Sequence, residues 1–591
     1  MTKPKKKTKQ KVKKLTEQEK EQRFQVREIS TVLKNIGFNK IPYIDGKHFE
    51  YEGRSSEMDD IFVYENIILI TEYTIGHPKE HLLSKNYFYE KISNNKRNFL
   101  DFLLTEEKLK SFKQYYNSHI EGNYSKNQIQ IKILYCSKQD VSDEHKNLVS
   151  PEVIFFDYHI VKYFESLSKA IKRSSKYEFL EFLKIPFVNV GENIIKSSNV
   201  TTQKFFGHIL PEEKSSFKEG YKIVSFYIDA SSLLRRAYVL RQNGWRDKDN
   251  IGHYQRMLVS KKVLSMRRYL SDKKRVFINN IITSIDTSKI KLYDKDNKEL
   301  KINKSGEFVN SDSFAVIPTS IVIDDETNII GLIDGQHRTF AYHEGDDSYE
   351  SEISKIRGIQ NLLVTGILFP SNETNTKKLI FEANLFLEIN SNQSNASSQV
   401  TQEIELMINP LSPVAISKKV LEGLNKSGPL NKLIEQYWYE KNKLKTTSIV
   451  SYGLKPLLKI EDVKSKDSIF SIWSNSEKNK LKVKDNEEHD LLQEYISFSV
   501  EQIRELLRAF KDILNNDKWH SPNKSNPNGI LSVTFINGVL NTLRLLIENN
   551  KTSDVTVYKE KLKNLNSFPF KNYKSSQYRK MGQDMYDQYF K

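Results

Sequence analysis

The chain has 591 residues, and its 92 Lys and Arg against 75 Asp and Glu give a formal net charge of +17 at pH 7. This excess favours a polyanionic partner, most simply nucleic acid, although a lysine-rich proteome explains it equally well. The single cysteine, Cys136, excludes a disulfide framework and a cysteine-based zinc site. No apolar run reaches the length of a membrane span and the N-terminus lacks an apolar signal region, so we expect a cytoplasmic protein without a membrane partner.

The N-terminal part of the sequence predicts a basic arm followed by a mixed α/β domain. Residues 1–14 carry eight lysines, which is typical of a disordered arm, and we assign residues 1–20 to it. A helix is predicted from residue 17 to 36, before Gly37, and residues 21–200 form the α/β domain. Its predicted strands are residues 61–64, 67–71, 129–135 and 153–156. Its further predicted helices are residues 87–104, 160–171 and 177–183, before Pro186.

The rest of the chain predicts a second α/β domain and a helical region. Residues 201–400 contain strand-like runs, and residues 401–591 read mainly as helices. The predicted strands are residues 221–228, 276–285, 314–323 and 329–333. In the C-terminal region, apolar residues recur at helical spacing between Ile503 and Leu514, which predicts one apolar helix face. A polar stretch at residues 515–529 predicts a loop.

One apolar run, residues 329–333, leads directly into the string DGQHR at residues 334–338. A strand, a glycine turn and a helix start in this order predict an anion site, because backbone N–H groups point outward at a helix N-terminus. Gly335 permits close approach of a phosphate, and Arg338 offers bidentate binding. Asp334 is suited to hold a metal ion or a ribose hydroxyl. The alternative is a purely structural role for each of these polar groups.

The string resembles the signature of the DGQHR domain family, which includes B proteins of the DNA phosphorothioation and 7-deazaguanine DNA-modification systems. Further matches to that family are residues 233–239 with Arg241, the YQR segment at residues 254–256, residues 277–282 and residues 386–394. DGQHR domains are in turn similar to the ParB N-terminal nucleotide-binding fold, whose G-E-R-R-x-x-A motif aligns with residues 335–341.

The resemblance implies that a nucleotide or phosphate binds this domain, with ATP or another nucleoside triphosphate as the candidate cofactor. His337 replaces the first arginine of the ParB motif, so one fixed positive charge is lost. The residues that the resemblance implies for this site are Asp334, Gly335, Gln336, His337, Arg338, Arg241, Gln255, Arg256, Asn390 and Gln393.

Carboxylates flank the first predicted hairpin. Glu57-Met58-Asp59 precedes it, and Glu72-Tyr73-Thr74 ends its second strand. This pattern resembles the PD-(D/E)xK nuclease core, in which an Asp and a Glu-x-Lys strand converge on a metal. The resemblance implies that Asp59 and Glu72 bind Mg²⁺ or Mn²⁺. It implies a catalytic set made of Glu57, Asp59, Glu72, Thr74 and Lys79.

The sequence departs from the nuclease pattern at one position, and it leaves alternatives open for the residues of the site. Thr74 stands where the family has a lysine, so Lys79 or Lys85 would have to supply an amine from a shifted position. His77 or His81 could assist. Asp60 replaces Asp59 if the register differs by one residue. The plainer interpretation is that the carboxylates only solvate the end of a hairpin.

The sequence therefore predicts an α/β fold class, with a restriction-endonuclease-like domain at residues 21–200, a ParB-like DGQHR domain at residues 201–400 and a mainly helical region at residues 401–591. The predicted function is that of a DNA-acting protein in a bacterial DNA-modification or phage-defence system, a metal-dependent DNA endonuclease gated by nucleotide or modified DNA. The alternatives are a non-cleaving DNA-binding regulator and an NTPase subunit that acts through the DGQHR loop. Expected partners are DNA and other subunits of such a system, with a homo-oligomer left open.

Overall fold

The fold is described from a computed structural model, which is mixed α/β. It describes residues 15–196, 203–239, 258–309, 316–391, 398–435, 437, 439–440, 442–460, 466–482 and 489–591. The described residues form two compact units, one ending at Glu373 and the other beginning at Thr374. Among them there is no helix with the length and hydropathy of a membrane span.

The N-terminal part of the first unit alternates helices and strands. Its helices are α1 (Glu17–Ile36), α2 (Pro78–Asn94), α3 (Lys96–Thr105), α4 (Lys110–His119), α5 (Asp143–Lys146), α6 (Tyr158–Ile171), α7 (Lys176–Phe182) and α8 (Asn193–Lys196). Its strands are β1 (Asn39–Lys40), β2 (His48–Tyr51), β3 (Arg54–Glu57), β4 (Asp60–Tyr64), β5 (Ile67–Thr74), β6 (Gln130–Ser137) and β7 (Val153–Phe155).

Most of the predicted elements of this part are present, whereas β1, the β2–β3 hairpin and α4 were not predicted and α2 begins at Pro78, before the predicted residue 87. The predicted arm at residues 1–20 overlaps α1, because Thr16 and Glu19 form a capping box that starts the helix at Glu17. The predicted helix at residues 87–104 is two helices. Asn95 leaves the helical conformation at φ −144° and caps α3 by accepting a hydrogen bond from the backbone N–H of Asn98. The first fourteen residues of the predicted arm lie outside the described residues.

The first sheet has the strand order β1-β4-β5-β6-β7. β4 pairs antiparallel with β1 and β5, whereas β5, β6 and β7 run parallel. The turn from β4 to β5 uses Glu65 at φ 51°. Since β4 runs opposite to its neighbour, its first residues lie at the same sheet edge as the carboxyl ends of β5, β6 and β7.

The two faces of this sheet are covered by different helices. One face packs alternate residues such as Ile68, Ile70 and Ile133 against Tyr89 and Phe99 of α2 and α3. Each buried side chain of this kind stabilises the fold by about 1.5–3 kcal/mol. The other face is covered by α1, α6 and α7, and its aromatic residues are Phe38, Phe156, Phe164, Phe179 and Phe182.

The second part of the first unit is built on a larger sheet. Its helices are α9 (Glu212–Ser215), α10 (Ala230–Arg236), α11 (Ser260–Lys273), α12 (Gln336–Phe340) and α13 (Glu350–Arg357). Its strands are β8 (Lys204–Leu210), β9 (Lys222–Asp229), β10 (Ala237–Val239), β11 (Ile281–Asp286), β12 (Ile290–Tyr293), β13 (Ile317–Ile323), β14 (Ile330–Asp334) and β15 (Asn361–Phe369). The strand order is β10-β14-β11-β15-β9-β8-β13-β12.

This sheet corrects the predicted strand set. The strand predicted at residues 276–285 begins only at Ile281, and the one predicted at residues 314–323 begins at Ile317, with residues 314–315 outside the described range. β8, β10, β12 and β15 were not predicted, although β15 pairs in parallel with β11 and antiparallel with β9 in the middle of the sheet.

The regular secondary structure of the second unit is helical in its described residues, apart from one isolated bridge between Ile434 and Leu444. Its helices are α14 (Asn375–Ser391), α15 (Ser398–Ile408), α16 (Pro413–Lys426), α17 (Thr446–Ser448), α18 (Lys455–Leu457), α19 (Ile469–Ile472), α20 (His489–Ile513), α21 (Val533–Glu548), α22 (Val555–Lys561) and α23 (Tyr578–Tyr589). A π-helix, Ile449–Leu454, joins α17 to α18. α14 begins inside the range assigned to the predicted second domain, and the division into three domains stays a prediction.

Candidate active site at the edge of the first sheet

Two carboxylates approach each other where β4 begins and β5 ends. Glu72 follows Ile68 and Ile70 at two-residue spacing, so its side chain lies on the sheet face that α2 covers. Asp59 precedes β4, and its Oδ2 accepts a hydrogen bond of 2.7 Å from the backbone N–H of Tyr73. This bond fixes Asp59 beside the end of β5, next to Glu72.

An ammonium group from α2 completes this arrangement. The Nζ atom of Lys85 lies 2.9 Å from Oε2 of Glu72 and donates a 2.9 Å hydrogen bond to the backbone oxygen of Glu57. The Glu72 side chain is fully buried, whereas that of Lys85 is 15% exposed. The site therefore opens to solvent through Lys85 and the half-buried Asp59, with Glu72 at its base.

Burial makes both carboxylates costly to ionise. It raises the pKa of Glu72 to about 8, with Asp59 adding repulsion and Lys85 opposing the rise. Burial likewise raises the pKa of Asp59 to about 6, against the opposing effects of the Tyr73 N–H and Lys85. Two neighbouring carboxyls whose pKa values are both raised form a pair that a cation would stabilise.

Other predicted members of the site lie at its margin. Thr74 is buried, two residues beyond Glu72 on the same strand. Lys79 is exposed in the first turn of α2, while Lys85, two turns further along, is the lysine that reaches Glu72. The side chain of Glu57 is 40% exposed and its Oε2 lies 3.5 Å from Nε2 of His48.

His81 lies on the same face of α2 as Lys85. Its Nδ1 is 3.1 Å from the hydroxyl of Tyr135. Burial, and then the positive charge of Lys85, lower the pKa of His81. The imidazole is therefore neutral at pH 7 and can donate or accept a hydrogen bond, but it does not add a positive charge to the site.

Asp60, the alternative to Asp59, has a different environment. Its Oδ2 is 2.6 Å from Nζ of Lys40 and accepts a 2.9 Å hydrogen bond from the hydroxyl of Tyr73. Burial raises the pKa of Asp60, and these two partners oppose the rise. Asp60 is thus held in an ion pair on the opposite face of the strand, and Asp59 is the aspartate beside Glu72.

A second group of side chains, which the sequence analysis did not identify, lies past the ends of β6 and β7. Asp140, Asp157 and His159 present ligand atoms that all lie within 4.8 Å of one another, and they are the one such group of three found in the described part of the chain. Two of the three follow β7 directly, in the sequence Asp-Tyr-His. This pair of metal-binding side chains two residues apart, just after a strand, is the feature of the sequence that could have indicated the group.

Gln25 of α1 is another residue near the site that the sequence did not predict. It is buried, and its Nε2 donates to the backbone oxygens of Thr74 at 3.2 Å and Cys136 at 3.1 Å. It thereby joins the ends of β5 and β6 from the face opposite Glu72. The thiol of Cys136 is itself buried, which raises its pKa and makes it unsuited to act as a nucleophile.

The DGQHR loop turns most of its polar groups inward. Gly335 has φ +90° and begins α12, which has only five residues. The guanidinium of Arg338 donates to Oδ2 of Asp334 at 2.8 Å and to the backbone oxygen of Asn280 at 3.0 Å. Gln336 is 2% exposed. Gln336 is therefore too buried to meet a ligand at the surface, and Arg338 is already engaged with a carboxylate.

The other residues predicted for the nucleotide or phosphate site do not show whether a ligand binds there. His337 accepts a 3.2 Å hydrogen bond from the backbone N–H of Val259 through Nε2. Asn390 lies in α14. The predicted ligands Arg241, Gln255, Arg256 and Gln393 lie outside the described residues. Nucleotide binding at this loop therefore stays a prediction.

Comparisons with protein-family models, curated proteins and solved structures found no match to this chain.

Proposed function

We propose that this chain is a metal-dependent DNA endonuclease whose active site is formed by Asp59, Glu72 and Lys85. The observation that carries the proposal is the fully buried Glu72, which meets the Lys85 ammonium at 2.9 Å and lies beside a second carboxylate. In this proposal residues 21–200 are a restriction-endonuclease-like domain, and residues 201–400 are a ParB-like DGQHR domain that regulates it.

The residues present fit a divalent cation. Neither carboxylate oxygen of Glu72 accepts a hydrogen bond of good geometry, although both are buried. Asp59 and Glu72 would hold Mg²⁺ or Mn²⁺, since hard cations prefer carboxylate oxygens. When bound, the ion would activate water and offset the negative charge that develops on the phosphate.

In this proposal Lys85 takes the role that the missing lysine has in the PD-(D/E)xK pattern. Thr74 occupies the strand position, and an amine from α2 reaches the same carboxylate instead. The bond from Lys85 to the Glu57 backbone oxygen keeps the ammonium near Glu72. From there it can stabilise negative charge on a phosphate oxygen and orient a water molecule.

DNA is the proposed substrate because of charge. The chain carries a net charge of +17, and the exposed Lys79 lies in the first turn of α2. Phosphate contacts of this kind release counterions, so binding should weaken steeply as salt rises. We place the enzyme in the cytoplasm of a bacterial-type cell, in a DNA-modification or phage-defence system where further subunits and nucleotide or modified DNA control it.

Nicking of supercoiled plasmid tests this function, with Mg²⁺ or Mn²⁺, modified and unmodified DNA, and nucleotide present or absent. Asp59→Asn and Glu72→Gln should each abolish cleavage while leaving DNA binding intact, because carboxylates act on phosphate only through the ion. Lys85→Met should lower the rate by roughly 10²–10⁴-fold. Lys91→Met, on the same helix, is the matched control and should cleave normally.

Two further variants test whether Lys79 or Lys85 supplies the catalytic amine. Lys79→Met should keep activity if Lys85 is the catalytic amine. Thr74→Lys combined with Lys85→Met should recover part of the lost rate, since it returns the amine to the strand. A wild-type protein that binds DNA but never cleaves it would refute the nuclease proposal and leave the regulator, while nucleotide turnover without cleavage would favour the NTPase.

A further inference from the structure

A cluster of metal-ligating side chains lies apart from Asp59 and Glu72 in the sequence. Asp157 is fully buried, His159 is 6% exposed and the Asp140 side chain is 67% exposed. Nδ1 of His159 lies 3.4 Å from Oδ1 of Asp140. The ligand atoms of all three lie within 4.8 Å of one another. The cluster thus has two buried members and one that faces solvent, so an ion could enter from one side.

The sheet brings these residues together. Asp140 lies in the loop after β6, while Asp157 and His159 follow β7 at the start of α6. Because β6 and β7 are parallel and in register from Ile133 with Val153, their carboxyl ends meet at one edge. The cluster therefore depends on strand pairing and is not a local feature of either loop.

We propose that Asp140, Asp157 and His159 bind a divalent transition-metal ion such as Mn²⁺, Co²⁺ or Zn²⁺. One imidazole and two carboxylates form a ligand set that these ions accept, and the imidazole favours them over Mg²⁺ or Ca²⁺. Three protein ligands leave positions for water. The inference is independent of the nuclease proposal, since it uses none of that site's residues.

A lysine competes with the ion in this arrangement. Nζ of Lys146 in α5 lies 3.5 Å from Oδ2 of Asp157. In the metal-free protein this ammonium partly neutralises the buried carboxylate, and a divalent ion would have to replace it. The ion would then tie the loop after β6 to the first turn of α6 more firmly than the single charge of Lys146 does.

Titration with Co²⁺ tests the proposal, using full-length protein stripped of metal and carrying Glu72→Gln so that the nuclease-like site is disabled. Visible absorption should report one Co²⁺ bound with a nitrogen ligand. Asp157→Asn and His159→Asn should each weaken this binding by at least about tenfold. His145→Asn, a neighbouring histidine outside the cluster, is the matched control and should bind as the parent does.

Lys146→Met gives an opposite expectation, which a merely structural ion pair does not share. The Lys146 ammonium lies 3.5 Å from a carboxylate oxygen of Asp157 and repels a bound cation, so its removal should strengthen Co²⁺ binding by about fivefold or more. Melting curves in chelator establish that each variant is folded. Binding that is absent, that survives both ligand variants, or that fails to strengthen in Lys146→Met would overturn the proposal.

Discussion

Binding of Mg²⁺ at Asp59 and Glu72 should release a proton. The pKa of Glu72 is raised to about 8 and that of Asp59 to about 6. A carboxyl whose pKa is raised keeps its proton until the pH exceeds that value, and a metal ion requires the ionised form. At pH 7 the ion must therefore displace the proton of Glu72.

The size of the effect follows from these two values. At pH 7 Glu72 is roughly 90% protonated and Asp59 roughly 10%, so binding should release about one proton. At pH 9 the two groups together should release about a tenth of a proton. Between pH 6 and 8 the affinity for Mg²⁺ should therefore rise by about tenfold per pH unit.

Calorimetric titration in buffers of different ionisation enthalpy measures the released protons directly. The Asp157→Asn background keeps the second proposed metal site silent. Glu72→Gln should abolish proton release at pH 7, whereas Glu80→Gln, an exposed glutamate on α2, should not change it. Affinity that is flat between pH 6 and 8, with proton release near zero, would refute the assignment of a buried, protonated Glu72.

Three further predictions concern stability. Glu72→Gln should raise the melting temperature of the metal-free protein at pH 9 but not at pH 4. Because the pKa of Glu72 rises from about 4.5 in the unfolded chain to about 8 in the folded one, the neutral carboxyl favours folding at low pH, and this stability is lost as the pH rises through about 8. The amide of glutamine does not ionise, so the variant avoids that loss. Arg267→Met should cost about 3–5 kcal/mol, since the fully buried guanidinium pairs with the part-buried Asp347 and Glu350 and donates to the backbone oxygens of Ala341 and His343. The exposed Arg268→Met should be nearly neutral in the same thermal melts. Gly335→Ala, with φ +90° and a Cβ 2.6 Å from a side-chain carbon, should cost about 1–3 kcal/mol in chemical denaturation, while Gly358→Ala should cost little.

The local patterns that the sequence expresses clearly were predicted well. α1 and the β4–β5 hairpin follow from capping residues, apolar periodicity and a tight turn within a few residues of one another. β8 was missed because Gly207 interrupts it and reads as a break. In the structure that glycine is required, since a Cβ there would lie 1.9 Å from the backbone oxygen of Ser225 on β9.

The candidate site was predictable from the sequence only in part, because some of its contacts depend on how the elements pack. Asp59 and Glu72 belong to one hairpin, so their spacing along the chain already suggests that they meet. The choice between Lys79 and Lys85 depends on the rotation of α2 about its axis against the sheet, which a local pattern does not specify. Gln25 of α1 contacts the end of β5 from the face opposite Glu72, and it lies forty-nine residues before Thr74 in the sequence.

The DGQHR loop shows how tertiary contacts override a motif. The sequence suggested an outward-facing anion site at a helix N-terminus. In the structure, α12 is too short to offer the dipole of a longer helix, and Arg338 is bound to Asp334. A phosphate would have to compete with that carboxylate for the guanidinium, so any affinity at this loop is reduced by the cost of breaking the ion pair.

If the DGQHR loop does control the nuclease-like site, the connection between them has a physical path. Glu344, a few residues after α12, accepts two bonds of 2.8 and 2.9 Å from Nζ of Lys176, and its backbone N–H donates to Ser174. Its carbonyl accepts a bond from the backbone N–H of Arg173. These contacts end on the segment that links α6 to α7, which cover the sheet face opposite Glu72. A displacement of Glu344 would therefore act first on this segment, on the sheet face opposite Glu72.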